Sequence, residues 1–199
     1  MKKMLIAALL VACGSTTASA DPLMNYTYGD VAYQWTHVDA EGLNDSNGVD
    51  AKLSVAVVDN FALEGGYNYA NSGITGGNNN ISQSTFRYGG AGWYTWCNGI
   101  DFVGRVGGSH VSEDVTGGDS SDNGVYTGVG VRYLISETLE GDLDALYDSV
   151  NSITNPTGGT WTYTGTLLQT VADNVALKGA VGIDADSNVF VTAGLRLTM

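Results

Sequence analysis

The chain has 199 residues and carries 21 Asp and Glu against 8 Lys and Arg, which gives a formal net charge of −13. So acidic a protein repels phosphate, which argues against nucleic acid or an anionic surface as a partner. Two cysteines are too few to predict a disulfide framework, whereas 28 Gly, 11 Tyr and only 2 Pro favour β-structure with many turns.

The first twenty residues predict a secretory signal peptide. Lys2 and Lys3 precede an apolar run over residues 4–12, and residues 18–20 (Ala-Ser-Ala) provide a small-x-small cleavage site. The apolar run is too short to span a bilayer. An alternative is that residues 10–13 form a lipobox, with lipidation at Cys13. Both interpretations predict export, and residues 21–199 are then expected to form one domain.

The remaining sequence predicts an all-β fold, because apolar and polar residues alternate in ten segments and no helical period competes. The segments cover residues 25–38, 48–58, 61–70, 83–95, 100–112, 124–135, 138–148, 160–171, 174–184 and 189–199. Tight turns follow the second, fourth, sixth and eighth segments, whereas polar loops of 9 to 12 residues follow the first, third, fifth and seventh. This alternation of tight turns and longer loops is typical of a transmembrane up-and-down antiparallel β-barrel, here with ten strands and with eight as the alternative.

Charged residues lie at the polar positions of these segments, that is, at the alternate positions opposite the apolar ones; we call this the polar parity. All six cations of residues 21–199 lie there, together with many acidic residues and interleaved glycine and alanine. A soluble sandwich or barrel with a solvated polar face is the alternative, but such a face would also place cations in the loops and would contain little glycine. We therefore interpret this parity as a narrow lumen filled by ion pairs. The predicted lumen charge network comprises Asp50, Lys52, Glu64, Arg87, Arg105, Arg132, Glu140, Asp142, Asp144, Lys178 and Arg196.

Aromatic residues of the apolar parity gather near the segment ends, as in the two aromatic girdles of a membrane barrel. The predicted girdles comprise Trp35, Tyr69, Tyr147 and Trp161 towards the long loops, and Tyr94, Trp96 and Tyr133 towards the tight turns. The first segment fits less well, since Tyr26 and Tyr28 have the opposite parity to Tyr33. We expect a bulge, or the true start of the strand, near residues 29–30.

The last segment alternates to the end of the chain. Thr192, Gly194, Leu197 and Met199 resemble the C-terminal insertion signal of outer-membrane proteins, in which Phe usually stands where this chain has Met199. With the strand rhythm, they make residues 21–199 resemble the small outer-membrane β-barrel family of the OmpA, OmpX and opacity-protein type. The resemblance implies a Gram-negative outer-membrane location, contact with membrane lipid and lipopolysaccharide, and recognition by the barrel assembly machinery during insertion. It implies no cofactor.

Few residues suggest catalysis. His110 and Ser112 lie two apart, as in the His-x-Ser of outer-membrane lipid A deacylases, but Glu113 has the wrong parity to orient the base. His37 lies near Asp39, as an outer-membrane protease would need, yet no dedicated acidic pair accompanies it. We therefore expect no enzyme activity.

Metal ligation is also weakly indicated. Asp184, Asp186 and Asn188 have the spacing that opens a calcium loop, but the glycine and distant glutamate of that motif are absent, so a hairpin turn is expected. Acidic loop residues without a basic neighbour could collect Mg²⁺ or Ca²⁺ weakly and bridge to lipopolysaccharide phosphates. These residues are Asp39, Glu41, Asp45, Glu113, Asp114, Asp119 and Asp122.

The sequence thus predicts an outer-membrane barrel with a charge-filled lumen and a structural or surface-interaction role in the envelope. One alternative is a narrow passive diffusion pore, because many glycines could leave a water path through ten strands. A lipid A-modifying enzyme is a further alternative.

Overall fold

The computed structural model describes residues 24–39, 43–74, 80–97, 99–115, 118–150 and 159–199. The signal peptide, the lipobox cysteine and Glu41 lie outside these ranges. Ten strands are present: β1 (Tyr28–His37), β2 (Leu43–Val58), β3 (Phe61–Ile74), β4 (Asn80–Cys97), β5 (Ile100–Val115), β6 (Gly118–Ser136), β7 (Leu139–Asp148), β8 (Thr160–Ala172), β9 (Val175–Asp184) and β10 (Val189–Thr198). Within the described ranges, no helix is long and apolar enough to cross a membrane.

The ten strands form one closed antiparallel barrel in which every strand pairs with its neighbours in sequence. The barrel closes between β1 and β10, where pairing runs without interruption from Tyr28 opposite Thr198 to His37 opposite Val189. The predicted fold class and the count of ten strands are therefore confirmed, and the eight-strand alternative is wrong. Closure matters physically, because it leaves no strand edge with unpaired backbone groups.

Side chains on the two faces of the sheet have opposite chemistry. The outward face is apolar and exposed, as at Val106, Val125 and Val129, which are 63–64% accessible. The inward face buries small and charged residues, as at Ala62 and Arg132, which are 0% and 2% accessible. A soluble barrel would bury its apolar face instead, so the outward face requires an apolar surrounding.

Two of the predicted long loops are largely strand. The sequence predicted loops over residues 71–82 and 112–123, but β3 continues to Ile74 before β4 begins at Asn80, and β5 continues to Val115 before β6 begins at Gly118. Ser and Asn interrupt the apolar alternation there, yet their backbone still pairs, as in Asn71 opposite Ser82. Hydropathy therefore marked where the apolar band ends and not where the strands end.

The predicted bulge in β1 is absent, whereas the alternative prediction, a strand start near residues 29–30, is close to the observed start of β1 at Tyr28. Pairing of β1 with β2 and with β10 is continuous through Gly29 and Asp30. Tyr28 instead faces the lumen with Asp30, and Tyr26 lies inside the barrel just before the strand begins; both tyrosines are at most 4% accessible. Tyr26 and Tyr28 have the opposite parity to Tyr33 because their rings lie inside the barrel.

The tight turns and both described ends of the chain share one end of the barrel, which we call the tight-turn end. Its turns include residues 59–60 and 173–174, and Asn60 adopts a positive φ of 62° there. The opposite end, which we call the long-hairpin end, carries the extended hairpins β3–β4 and β5–β6. The lumen runs between these two ends.

The seam between β1 and β10 depends on a glycine. A Cβ on Gly194 would lie 2.6 Å from the Cβ of Ala32, its partner across the seam. We expect Gly194→Ala to lower the free energy of unfolding by about 1–3 kcal/mol, because the added carbon forces the two strands apart. Urea titration of the refolded protein in micelles measures the change. Gly179→Ala is the matched control, since a Cβ on this outward-facing glycine of β9 has no atom within 4 Å; an equal loss in both variants would contradict the prediction.

Candidate functional site: the barrel lumen

The lumen holds all six cations of the described chain, and each of them has an acidic partner within 4 Å. The structure places all eleven residues of the predicted charge network on inward-facing strand positions. Ten of these eleven residues have at least one ion-pair partner. Asp142 is the exception: one of its carboxylate oxygens, Oδ1, is buried without a hydrogen-bond partner.

Asp30 organises the cluster nearest the tight-turn end. It accepts two hydrogen bonds from Arg196, Nε to Oδ1 at 2.7 Å and Nη2 to Oδ2 at 2.9 Å, in the bidentate geometry typical of Arg and carboxylate. Lys178 donates a third at 3.1 Å. The Arg196 guanidinium also lies 3.8 Å from the centre of the Tyr28 ring. Asp30 is thus a shared counter-ion for two cations and is only 2% accessible.

A second cluster fills the middle of the lumen. Glu64 lies 3.0 Å from Lys52 and 3.4 Å from Arg105, and Arg105 also contacts Asp144. Arg105 and Glu64 are both at most 8% accessible. The cluster spans β2, β3, β5 and β7, so it ties together strands that do not pair directly.

A third cluster, nearer the long-hairpin end, centres on Asp148. Its carboxylate accepts hydrogen bonds from Arg87 at 2.8 Å and from the Ser109 hydroxyl at 2.7 Å. The sequence-based network omitted both Asp30 and Asp148. Their signal was available in the sequence, because Asp148 has the same parity on β7 as Asp142 and Asp144, and Asp30 lies at the polar parity of the first segment.

The tight-turn end of the lumen is filled by Met24 and Tyr26, which precede β1, together with Trp93 on β4 and Arg132 on β6; we call this group the floor. Tyr26 stacks on Trp93 with ring centroids 3.7 Å apart, and the Arg132 guanidinium lies 4.2 Å from the Tyr26 ring. The Tyr26 hydroxyl donates a 2.7 Å hydrogen bond to Asp101. Met24 packs beside them and is 3% accessible. Sequence periodicity could not detect the floor, because its first residues lie before any strand.

The lumen also contains a cavity of about 450 Å³, which residues of all three clusters help to line. It is lined from residues of the long-hairpin end, such as Asp186 and Asn188, down to Tyr28 and Arg196. The floor residues Tyr26, Trp93 and Arg132 are not among its lining residues. The cavity is therefore a cup that ends at Tyr28 and Arg196, and the floor lies beyond this end, towards the tight turns.

The predicted girdle residues all face outward. Trp35, Trp161 and Tyr69 lie towards the long-hairpin end, and Tyr94 and Trp96 lie towards the tight-turn end; each of these five is exposed. Tyr133 and Tyr147 are half-buried, because their rings lie over the glycines Gly141 and Gly159.

The predicted C-terminal signal residues divide between the two faces. Thr192 and Gly194 face the lumen, whereas Leu197 and Met199 are exposed on the outside. The Met199 amide donates a hydrogen bond to the Thr27 carbonyl at 3.0 Å, and Asn25 donates one to the Met199 carbonyl at 3.2 Å. On the other side of the strand, the Thr198 amide donates to the Asn174 carbonyl at 3.0 Å, so the end of the last strand is held on both sides.

The residues considered for catalysis or metal binding form other contacts. His110 Nδ1 lies 2.9 Å from Asn123 Oδ1 on the long-hairpin side, and Ser112 pairs with Ser84 and Ser121 in the sheet. His37 bonds with Asp45 at 2.7 Å. The Asp184 carboxylate accepts bonds from the backbone amides of residues 186 and 188, which closes a hairpin turn. Within the described ranges, no three His, Cys, Asp or Glu residues are grouped to hold a metal ion.

A closed barrel with an apolar outside, aromatic ends and a charged inside defines a transmembrane β-barrel protein. The family model for the outer membrane protein beta-barrel domain matches residues 4–167. The chain belongs to this family, and its location is the bacterial outer membrane. Among curated proteins, none matches the chain by sequence.

Solved structures share the fold at low sequence identity. The translocator domain of the autotransporter NalP from Neisseria meningitidis is 9% identical, with 100% of this chain and 95% of that chain covered and a TM-score of 0.51. OprG from Pseudomonas aeruginosa is 8% identical, with 89% and 98% covered and a TM-score of 0.46. Ail, the attachment invasion locus protein of Yersinia pestis, is 12% identical, with 87% and 100% covered and a TM-score of 0.41.

The Asp30 cluster yields a stability prediction. Asp30→Asn keeps the shape of the side chain but leaves Arg196 and Lys178 without their shared carboxylate, and breaking a buried ion pair in this way costs about 3–5 kcal/mol. We expect the urea midpoint of the refolded protein to fall accordingly. Asp59→Asn removes the same charge from an exposed tight turn and is expected to change stability by less than about 0.5 kcal/mol. Equal stability of Asp30→Asn and wild type would contradict the prediction.

Proposed function

We propose that this protein is a closed, non-enzymatic outer-membrane barrel whose role lies in envelope structure and in interactions at the cell surface. The observation that carries this proposal is the floor. Tyr26, Trp93 and Arg132 fill the tight-turn end of the lumen, and all three are held by stacking or by hydrogen bonds. The long-hairpin end would then make the interactions at the cell surface.

The floor supports closure in two ways. Its aromatic pair occupies space that water would need, since Tyr26 and its neighbours Met24 and Val103 are all at most 4% accessible. The carboxylate of Asp101 is also paired there, because it accepts one bond from Tyr26 and another from Thr95 at 2.7 Å. Nη1 of Arg132 is buried without a partner, whereas Nη2 of the same side chain donates to the Asn25 carbonyl. A hydrated ion passing through would have to break these contacts, at the cost of leaving buried polar groups unpaired.

Membrane sidedness follows from the two barrel ends. In outer-membrane barrels, short turns face the periplasm and longer hairpins face the outside. The tight-turn end would then be periplasmic, and the cavity would open to the cell exterior. The same orientation presents Leu197 and Met199 at the periplasmic end, where the barrel assembly machinery would meet them during insertion.

Conductance tests the closed barrel. We expect wild-type protein in planar bilayers to carry no steady discrete current. Tyr26→Ala combined with Trp93→Ala removes the stacked pair from the floor and is expected to produce such currents. Tyr94→Ala is the matched control, because this neighbour faces outward and is 68% accessible.

Two results would overturn the proposal. Steady currents from the wild type would favour the narrow passive pore. Silence from the double variant would show that the floor is not what closes the lumen. Heat-modifiable migration on gels confirms for each sample that the barrel is folded.

Lipopolysaccharide is the proposed partner in the outer leaflet. Asp39, Asp45 and Asp119 are exposed towards the long-hairpin end, and all six cations of residues 21–199 lie in the lumen, so direct contact with lipid phosphates would be repulsive. Divalent cations would bridge the carboxylates to the phosphates.

This partner proposal predicts a chelator effect. We expect a chelator to lower the melting temperature in lipopolysaccharide-containing micelles and to leave it unchanged in micelles without lipopolysaccharide, because the bridge needs both phosphate and metal. Circular dichroism during heating measures the shift. An unchanged melting temperature in both micelles would contradict divalent bridging.

A further inference from the structure

The cavity in the lumen carries an excess of acid. Nine carboxylate and five cationic side chains line it. The cations are already engaged in the ion pairs described above, as are several of the acids. The net negative charge therefore attracts positive solutes into the cup and repels anions.

Five polar atoms of the described residues that line the cavity are buried without a hydrogen-bond partner. Two of them belong to cations that still lie within 4 Å of a carboxylate, namely Nε of Arg105 beside Glu64 and Nη1 of Arg196 beside Glu140. A third is Oγ1 of Thr160, and the other two lie on β7 and β10. These are Oδ1 of Asp142 and Oγ1 of Thr192, and the two side chains are 9% and 6% accessible. Both lie on one row across the sheet, in which Asp142 pairs with Thr166, Thr166 with Ala180, and Ala180 with Thr192. An unpaired buried carboxylate oxygen is costly, and a donor that reaches it would recover that cost.

The wall next to Asp142 is rich in hydroxyl groups. β8 contributes four consecutive inward-facing threonines at residues 160, 162, 164 and 166. Apolar groups lie among them, including Phe190, Leu146 and Ala180. The lining thus combines hydroxyl and carboxylate acceptors with apolar surface, and it fits a ligand whose cationic donors are joined by methylene groups.

We propose that this cavity binds a small organic cation, an aliphatic diamine or triamine, with one ammonium group donating to Asp142 and another to Thr192. The volume of about 450 Å³ is within the range of small-molecule sites. A metal ion fits less well, because the described part of the chain has no group of three metal-ligating side chains. This proposal goes beyond the proposed function as a closed barrel. It depends on the cup, and it does not depend on whether ions pass the floor.

Calorimetric titration with spermidine tests the site, using the refolded protein in detergent micelles. We expect binding to wild type with one spermidine per barrel. Asp142→Asn is expected to weaken binding about tenfold or more, since a charge-assisted hydrogen bond is lost. Thr192→Val keeps the shape and charge of the wall and is expected to weaken binding about two- to fivefold.

The control variant is Asp119→Asn, which removes one carboxylate from the exposed hairpin β5–β6, outside the cavity lining. We expect its affinity to stay within about twofold of wild type, because a distant exposed charge is screened. Citrate, an anion of similar size, is expected not to bind.

Several outcomes would overturn the proposal. These are an absence of heat from folded wild type at about 10 mM spermidine, an equal loss of affinity in Asp119→Asn and Asp142→Asn, and wild-type affinity in Thr192→Val. Thr192→Val keeps the test decisive even where Asp142→Asn does not fold. Conductance is measured separately, so a barrel that conducts and still binds spermidine would overturn only the closed-barrel proposal.

Discussion

Every backbone amide and carbonyl in the membrane needs a partner within the protein, because hydrocarbon offers none. The pairing of β1 with β10 meets this requirement by removing the last free edges of the sheet. Closure then divides the side chains between two environments, since alternate residues must point outward to lipid or inward to a narrow lumen. The apolar exterior and the charged interior of this barrel both follow from that division.

A narrow lumen that receives many charges must pair them, and several of the pairs here cross between strands that are not neighbours. Asp30 on β1 holds Lys178 on β9, and Glu64 on β3 meets Arg105 on β5. Such contacts brace the cylinder from inside, whereas the backbone ladder links only adjacent strands. Towards the long-hairpin end the balance between acids and bases is lost, and the lumen becomes an acidic cup.

Alternation in the sequence was sufficient to predict the barrel, its ten strands and the inward parity of the charges, because a period of two is a local property. The partners of each charge were not predictable, since they depend on the tilt of the strands and on the width of the lumen. The opposite parity of Tyr26 and Tyr28 was explained by a bulge or a strand start near residues 29–30, because aromatic residues were expected on the outward face. A guanidinium inside the barrel can stack on a ring, as Arg196 does on Tyr28. The long hairpins were missed because pairing outside the apolar band needs no apolar residues.

The floor has a consequence for the order of assembly. Its first residues, Met24–Thr27, precede every strand, yet they contact Trp93 on β4, Asp101 on β5 and Arg132 on β6, and Thr27 bonds to Met199. The contacts of Tyr26 need β4, β5 and β6 to be in place, and the bond between Thr27 and Met199 needs β10 beside β1. The residues before β1 are therefore fixed in position by strands that follow much later in the chain.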